Sequence, residues 1–179
     1  MLDRYKGLNL IRKTGQESHS LERIDKEIIV NASSEKIFNY IEDPNNWSEF
    51  WVNLDKVSEI QSLPSGGYRA KYEYTTGGMH FKGEGEYTDY VRNNWIVMTM
   101  KGGIIRSVTF TFRAIYEERF EYKTRVTLTV DYEIPIRVVG KISEKLVRNM
   151  ISREIELIMI NLAARFIVGY RPRDSIIQN

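Results

Sequence analysis

The segment Ile28-Ile-Val-Asn-Ala-Ser-Ser-Glu-Lys-Ile-Phe-Asn-Tyr-Ile-Glu-Asp-Pro-Asn-Asn-Trp-Ser-Glu-Phe-Trp51 constrains the fold more than any other stretch of the chain. It closes a strand over Glu22 to Asn31 and then changes period. Asn31 or Ser33 can accept a hydrogen bond from the amides that open a helix over Ser34 to Ile41. Ile37, Phe38 and Ile41 give that helix an apolar face. Asp43-Pro44 ends it, because the residue before a proline is pushed out of helical geometry and proline can open the next helix. The second short helix then carries Trp47, Phe50 and Trp51.

From Leu54 to Glu133 the chain turns strand-like, with breaks at Ser65-Gly66-Gly67, Gly77-Gly78, Asn93-Asn94 and Gly102-Gly103, the pattern of an antiparallel meander. A two-residue loop at Gly77-Gly78 fixes every pair behind it: Thr76 opposite Met79, Glu73 opposite Lys82, Lys71 opposite Glu84, Arg69 opposite Glu86. Three opposite-charge pairs mark the solvent face. The other face sets Tyr68 against Tyr87, Ala70 against Gly85, Tyr72 against Gly83 and Tyr74 against Phe81. Either the tyrosines cover the glycines as packing, or the gaps leave room for a guest.

A two-residue loop at Gly102-Gly103 would turn Val108, Phe110 and Phe112 outward, so a three-residue loop or a bulge is expected. Met98 then lies near Val108, Ile96 near Phe110, and Arg106 points inward near Met100. In the last strand Val126, Leu128, Val130 and Tyr132 face the interior. Lys141 to Val168 predicts one long helix with two apolar stripes. The longer runs Val139, Ile142, Leu146, Met150, Leu157, Ile160, Ala164, and Arg153 interrupts it. The shorter runs Ile151, Ile155, Ile158, Leu162, Phe166. One must face the sheet, and the shorter, confined to the C-terminal half, is available to the short helices, the N-terminal arm or another subunit.

These elements in this order, through the Tyr132-Glu-Ile-Pro135 exit, resemble the START-like, helix-grip (SRPBCC) superfamily that includes the birch-pollen-type allergens, and within it the polyketide cyclase/dehydrase and lipid-transport branch. The resemblance implies an α+β helix-grip fold: a curved antiparallel sheet wrapped around a long C-terminal helix, with two short helices after the first strand. It covers roughly residues 22 to 168. The expected organisation is an arm over 1–21, one domain over 22–171 and a tail over 172–179. The resemblance also implies a mostly apolar cavity between sheet and long helix that takes lipids, isoprenoids, polyketides or similar molecules.

Composition removes other classes. With 26 basic and 24 acidic residues and a net charge of +2, no global field recruits nucleic acid or anionic membrane. The absence of cysteine excludes disulfides and thiolate chemistry and suits an intracellular protein. No apolar run approaches the roughly 20 residues of a membrane span, and residues 1–20 lack a signal-peptide core, so a cytoplasmic location is expected. Catalytic constellations are thin. His19 lies in the arm and His80 on the charged face beside Lys82, so no metal site, cofactor or catalytic residue is assigned. Glu84 and Glu86 each have a basic cross-strand partner and read as a solvated charge ladder, so no acid/base dyad stands out, and Gly83 and Gly85 sit inside a strand and open no helix, so they form no phosphate loop.

Two readings compete, with a third beside them. A carrier or sensor would line its pocket with Trp51, Tyr72, Tyr74, Phe81, Met98, Met100, Phe110 and Tyr132, with Arg106 or Arg153 orienting a polar head group. A cyclase or dehydratase would use the same pocket to fold a reactive chain and stabilise an enolate. The carrier is preferred, because an enzyme needs an inward proton-transfer group and no inward histidine is available. The third reading is an interaction module using Trp47 and Trp51, or a homodimer through the C-terminal helix.

Overall fold

The structure is a computed structural model that describes residues 21–116, 122–134 and 143–167. The expected arm, save Leu21, and the tail lie outside these residues, as do His19, Pro135, Val139, Ile142 and Val168.

Strand β1 (Leu21–Val30) leads into α1 (Ser34–Glu42). Ser33 Oγ accepts from the Lys36 amide at 3.3 Å, so the cap is Ser33 of the two candidates. Asp43 leaves helical geometry at φ −79°, ψ 114°, and its side chain caps a 3-10 turn over Pro44–Asn46. Helix α2 (Trp47–Phe50) follows directly. The meander comprises β2 (Leu54–Ser62), β3 (Tyr68–Thr76), β4 (Met79–Val91), β5 (Trp95–Lys101), β6 (Ile105–Tyr116) and β7 (Tyr122–Glu133). Helix α3 (Glu144–Ala164) completes the described chain. The seven strands form one antiparallel sheet in the order β1-β7-β6-β5-β4-β3-β2, so the first strand closes against the last and α3 lies across the concave face. This is the helix-grip architecture the sequence predicts.

The β3–β4 register is the predicted one from Thr76↔Met79 to Arg69↔Glu86. Gly77 and Gly78, at φ +58° and +76°, supply the left-handed pair that a two-residue hairpin demands. On the outer face Lys82 meets Glu73 at 2.9 Å and Arg69 meets Glu86 at 2.8 Å, while Lys71 reaches across to Glu59 of β2 at 2.6 Å. On the inner face the tyrosines are packing. A Cβ on Gly83 would overlap the Lys101 carbonyl oxygen and come within 2.6 Å of Tyr72 Oη, so the ring occupies the space the glycine leaves. Across β5–β6 the three-residue connection gives Met98↔Val108 and Ile96↔Phe110 as expected.

The rotation of α3 is opposite to the reading that gave the shorter stripe to another partner. Ile151, Ile155, Ile158 and Leu162 are the buried face, joined by Val147, Glu154 and Met159. Leu146, Leu157 and Ile160 of the longer stripe are 50%, 44% and 57% exposed. The cause is helical geometry: one step of four residues back from Ile151 lands on Val147 rather than on Arg148 or Glu144. The shorter stripe therefore continues to the N-terminal end of the helix.

Candidate functional site

A chamber lies between the concave sheet and α3. Its floor is Val108 and Phe110 of β6 with Leu128 and Val130 of β7, all inward residues of alternating strands. Ile104 and Ile105 close one end, Tyr74 and Thr76 of β3 the other side, and Trp51, just after α2, stands at the edge. The roof is Ile151, Glu154, Ile155 and Ile158, one turn-spaced face of α3. These side chains leave about 10 Å³, the size at which a single water first fits. The interior is therefore nearly full.

Among the described residues Glu154 is the one carboxylate in this lining, and it is 8% exposed. Its Oε1 accepts a hydrogen bond of 2.9 Å from Trp51 Nε1, a buried contact between residues 103 positions apart. That bond places the second short helix, the long helix and the chamber in register with one another. Tyr74 Oη accepts from the Ile104 amide at 3.3 Å, and its ring stacks on Phe81 with centroids 5.0 Å apart. Burial pushes the Tyr74 hydroxyl well above the ordinary phenol range, so it stays protonated. Tyr72 is pushed up to about 12, chiefly by burial, and donates to the Lys101 carbonyl at 2.7 Å.

Of the residues singled out from the sequence, Trp51, Tyr74 and Phe110 line the chamber. Tyr72, Phe81, Met98, Met100 and Tyr132 are buried in the same core but stand back from it. Arg106 does not point inward. The ladder shifts by one residue between Ile105 and Ser107, and the extra residue sends Arg106 to the sheet end. There its Nε donates to Glu133 at 2.9 Å and its Nη1 to the Gly103 carbonyl at 2.8 Å. Arg153 lies on the exposed side of α3. Tyr132 Oη donates to Glu22 at 2.5 Å, and Arg148 donates to the other oxygen of that carboxylate. Trp47 and Trp51 are 2% and 5% exposed, so they form no outward contact surface. Trp47 Nε1 is spent on the Ile41 carbonyl at 3.0 Å, as Trp51 Nε1 is on Glu154.

Glu154 is the functional candidate that sequence reasoning passed over. Its signal was its spacing: it lies three residues after Ile151 and four before Ile158, on the stripe that is buried. Among the described residues no helix is long and apolar enough to cross a membrane.

A profile of the family described as polyketide cyclase / dehydrase and lipid transport matches residues 22–166. A START superfamily protein from Mycobacterium smegmatis is similar in structure, with a TM-score of 0.67 at 14% identity, over 80% of this chain and 96% of that one. The Zhui aromatase/cyclase from Streptomyces sp. R1128 superposes with a TM-score of 0.62 at 14% identity, over 82% of this chain and 93% of its own. The Aha1 dimer from Colwellia psychrerythraea gives 0.57 at 12% identity, over 84% and 99%. At these identities the likeness is one of fold. No curated protein matches the sequence.

Proposed function

The chain belongs to the polyketide cyclase/dehydrase and lipid-transport family, and from that premise we propose that it binds a hydrophobic small molecule, of lipid, isoprenoid or polyketide type, between the sheet and α3. The observation that carries this reading is the chamber itself, whose lining among the described residues is apolar apart from Glu154, Thr76 and Tyr74. Burial of ligand surface against that lining would drive binding at roughly 25 cal/mol per Å². With about 10 Å³ between these side chains, a guest would enter by displacing one wall. The strand walls are held by backbone ladders from Trp95 to Thr99 against β6 and from Ser107 onward against β7. Helix α3 is held by side-chain packing and by isolated polar ties such as Lys26 to Glu156 at 2.6 Å, so it is the wall that yields.

Native mass spectrometry of the protein as purified tests the reading. A retained apolar molecule, released on denaturation, is the expected result. An empty protein whose melting temperature no apolar probe raises would remove the carrier function.

A second reading, cyclisation or dehydration in the same chamber, would rest on Glu154, a buried carboxylate among the described chamber residues, as its proton-transfer group. Under it Glu154 would move the proton and the neutral Tyr74 hydroxyl would donate to a developing enolate oxygen. Glu154→Gln would then abolish turnover of a bound polyketide while leaving its affinity within a few-fold. Equal loss of both would leave binding alone. A homodimer through the C-terminal helix would use Leu146, Leu157 and Ile160, since the other stripe is buried within the protomer.

A further inference from the structure

We infer that α3 pairs with the α3 of a second copy of this chain, antiparallel and about a two-fold axis, and that Arg153 and Glu156 set the register of the pair. The inference stands on the outer face of the helix and holds whether or not the chamber takes a guest.

The sheet-facing side of α3 is already spent on Ile151, Ile155, Ile158 and Leu162. On the opposite side Leu146, Arg153 and Ile160 recur every seven residues, and Leu157 and Ala164, also seven apart, follow Arg153 and Ile160 by four. Two interleaved heptad rows make a seam of 3.5-residue period, the pattern by which one helix pairs with another. Leu146, Leu157 and Ile160 of that seam are exposed. Single exposed apolar residues need no explanation, but a row of them in heptad register is a contact surface without its partner. Charge then selects the occupant and its direction. Among the described residues the exposed charges of α3 are Glu144, Lys145, Arg148, Arg153 and Glu156, so the cations all lie in the N-terminal half and the C-terminal half carries Glu156. Arg165, just past the helix, is turned to α2, where it pairs with Glu49 at 3.2 Å. A parallel copy would set Lys145, Arg148 and Arg153 against their own images. An antiparallel copy brings that basic half to the partner's C-terminal half, where the helix dipole and Glu156 are negative. The two-fold repeats each contact, since residue i meeting j requires j to meet i. In the heptad register centred between Arg153 and Leu157, Arg153 lies over the partner's Leu157 with its guanidinium beside the partner's Glu156, and Leu146 meets the partner's Ala164, a large side chain against a small one. Glu156 is available for this: Lys26 Nζ donates to its Oε1 at 2.6 Å, and a carboxylate accepts several donors.

One helix pair buries less than the roughly 1,200 Å² of a standard interface, so half-assembly is expected on the order of 10–100 µM. Sedimentation equilibrium of the full chain over roughly 1 µM to 1 mM reads it directly. Arg153→Glu sets like charges at both symmetry-related contacts and should weaken the dimer at least about ten-fold, and Glu156→Lys should do the same. An equimolar mixture of the two variants joins opposite charges at both contacts of the heterodimer and should return assembly to within about three-fold of the unmodified protein. Both positions are exposed, so each variant should melt within a few degrees of the unmodified chain. A mass that stays that of one chain across the range overturns the inference. So does Arg153→Glu assembling as tightly as the unmodified protein, the result for a parallel pair, in which position 153 meets its own image whichever charge it carries. A mixture that stays monomeric, or an unmodified monomer that cosediments with anionic phospholipid vesicles and so gives the face to a lipid surface, overturns it as well. None of these outcomes touches the container reading, which is decided by retention of an apolar molecule.

Discussion

Truncation of Ile155 to alanine tests whether the chamber is a full, closed container. Ile155 is buried on the chamber side of α3, and the change removes three carbons from the roof. At about 0.8 kcal/mol per methylene the transfer loss is roughly 2.4 kcal/mol. The void left behind adds to this, because walls on β6 and β7 are pinned by their ladders and collapse little, giving a total of about 3–4 kcal/mol within the ~2–5 range for such truncations. For a domain of this size about 2–4 °C is lost per kcal/mol, so the melting temperature should fall by roughly 6–16 °C while the protein stays folded. The enlarged space should then admit a small apolar guest. Toluene at a hundred times its dissociation constant would return about 2.7 kcal/mol to Ile155→Ala, yet leave the unmodified protein, with room of only about 10 Å³, nearly unchanged. Differential scanning calorimetry with and without toluene reads both numbers. A loss under about 1 kcal/mol would show that Ile155 is not packed as a wall. Equal stabilisation of both proteins would refute the closed chamber.

Trp51→Phe removes the indole donor and leaves Glu154 without its protein partner; urea denaturation should show a loss of about 1–3 kcal/mol. In a double-mutant cycle with Glu154→Leu the two losses should be coupled, and strict additivity would break the proposed link between α2 and α3. Tyr72, raised to about 12 by burial, contributes stability that is complete below the unfolded phenol value near 10 and is lost as pH climbs through about 12. Tyr72→Phe should accordingly flatten the decline in melting temperature across that alkaline window, as followed by circular dichroism, and an unaltered slope would contradict the buried neutral phenol. Leu157→Glu with Ile160→Glu, on the exposed side of α3, should leave unfolding free energy within about 0.5 kcal/mol. Sedimentation of that variant reports assembly, and an identical mass before and after excludes a dimer through this stripe.

The legible parts of the sequence were those in which two independent constraints met. The β3–β4 hairpin joined a two-residue loop to three opposite-charge pairs, and a slip of one residue would have turned all of them inward. Ser33 and Asp43-Pro44 marked the helix boundaries by capping and proline geometry, which are local. The rotation of α3 was not local. Both stripes are apolar, so hydrophobic periodicity alone leaves the helix free to turn, and the choice is made by what it meets in the sheet. Arg106 was misdirected for a related reason: one extra residue in the β6–β7 ladder reverses the facing of its side chain, and nothing in the sequence announces the bulge. Glu154 was passed over because a charged residue within a helix reads as solvent-facing, and its partner is 103 residues away.

The position of the chamber follows from side-chain length along the sheet. Over β3 and β4 the interior is filled by aromatics: Tyr72 lies over Gly83, Tyr74 stacks on Phe81, and Tyr87 reaches the carbonyl of Glu42 at 2.8 Å. Over β6 and β7 the inward residues include the shorter Val108, Leu128 and Val130, and the helix above presents Ile151, Glu154 and Ile155. Among the described residues Phe110 is the one ring that β6 and β7 add to this lining, so the aliphatic neighbours leave the remaining fit to the approach of α3 itself. The carboxylate at that point opposes closure, since pressing Glu154 further onto aliphatic side chains would cost desolvation that only its single bond to Trp51 offsets. The same residue that limits how tightly the helix can sit on the sheet is therefore the one that ties α3 to the end of α2 through Trp51.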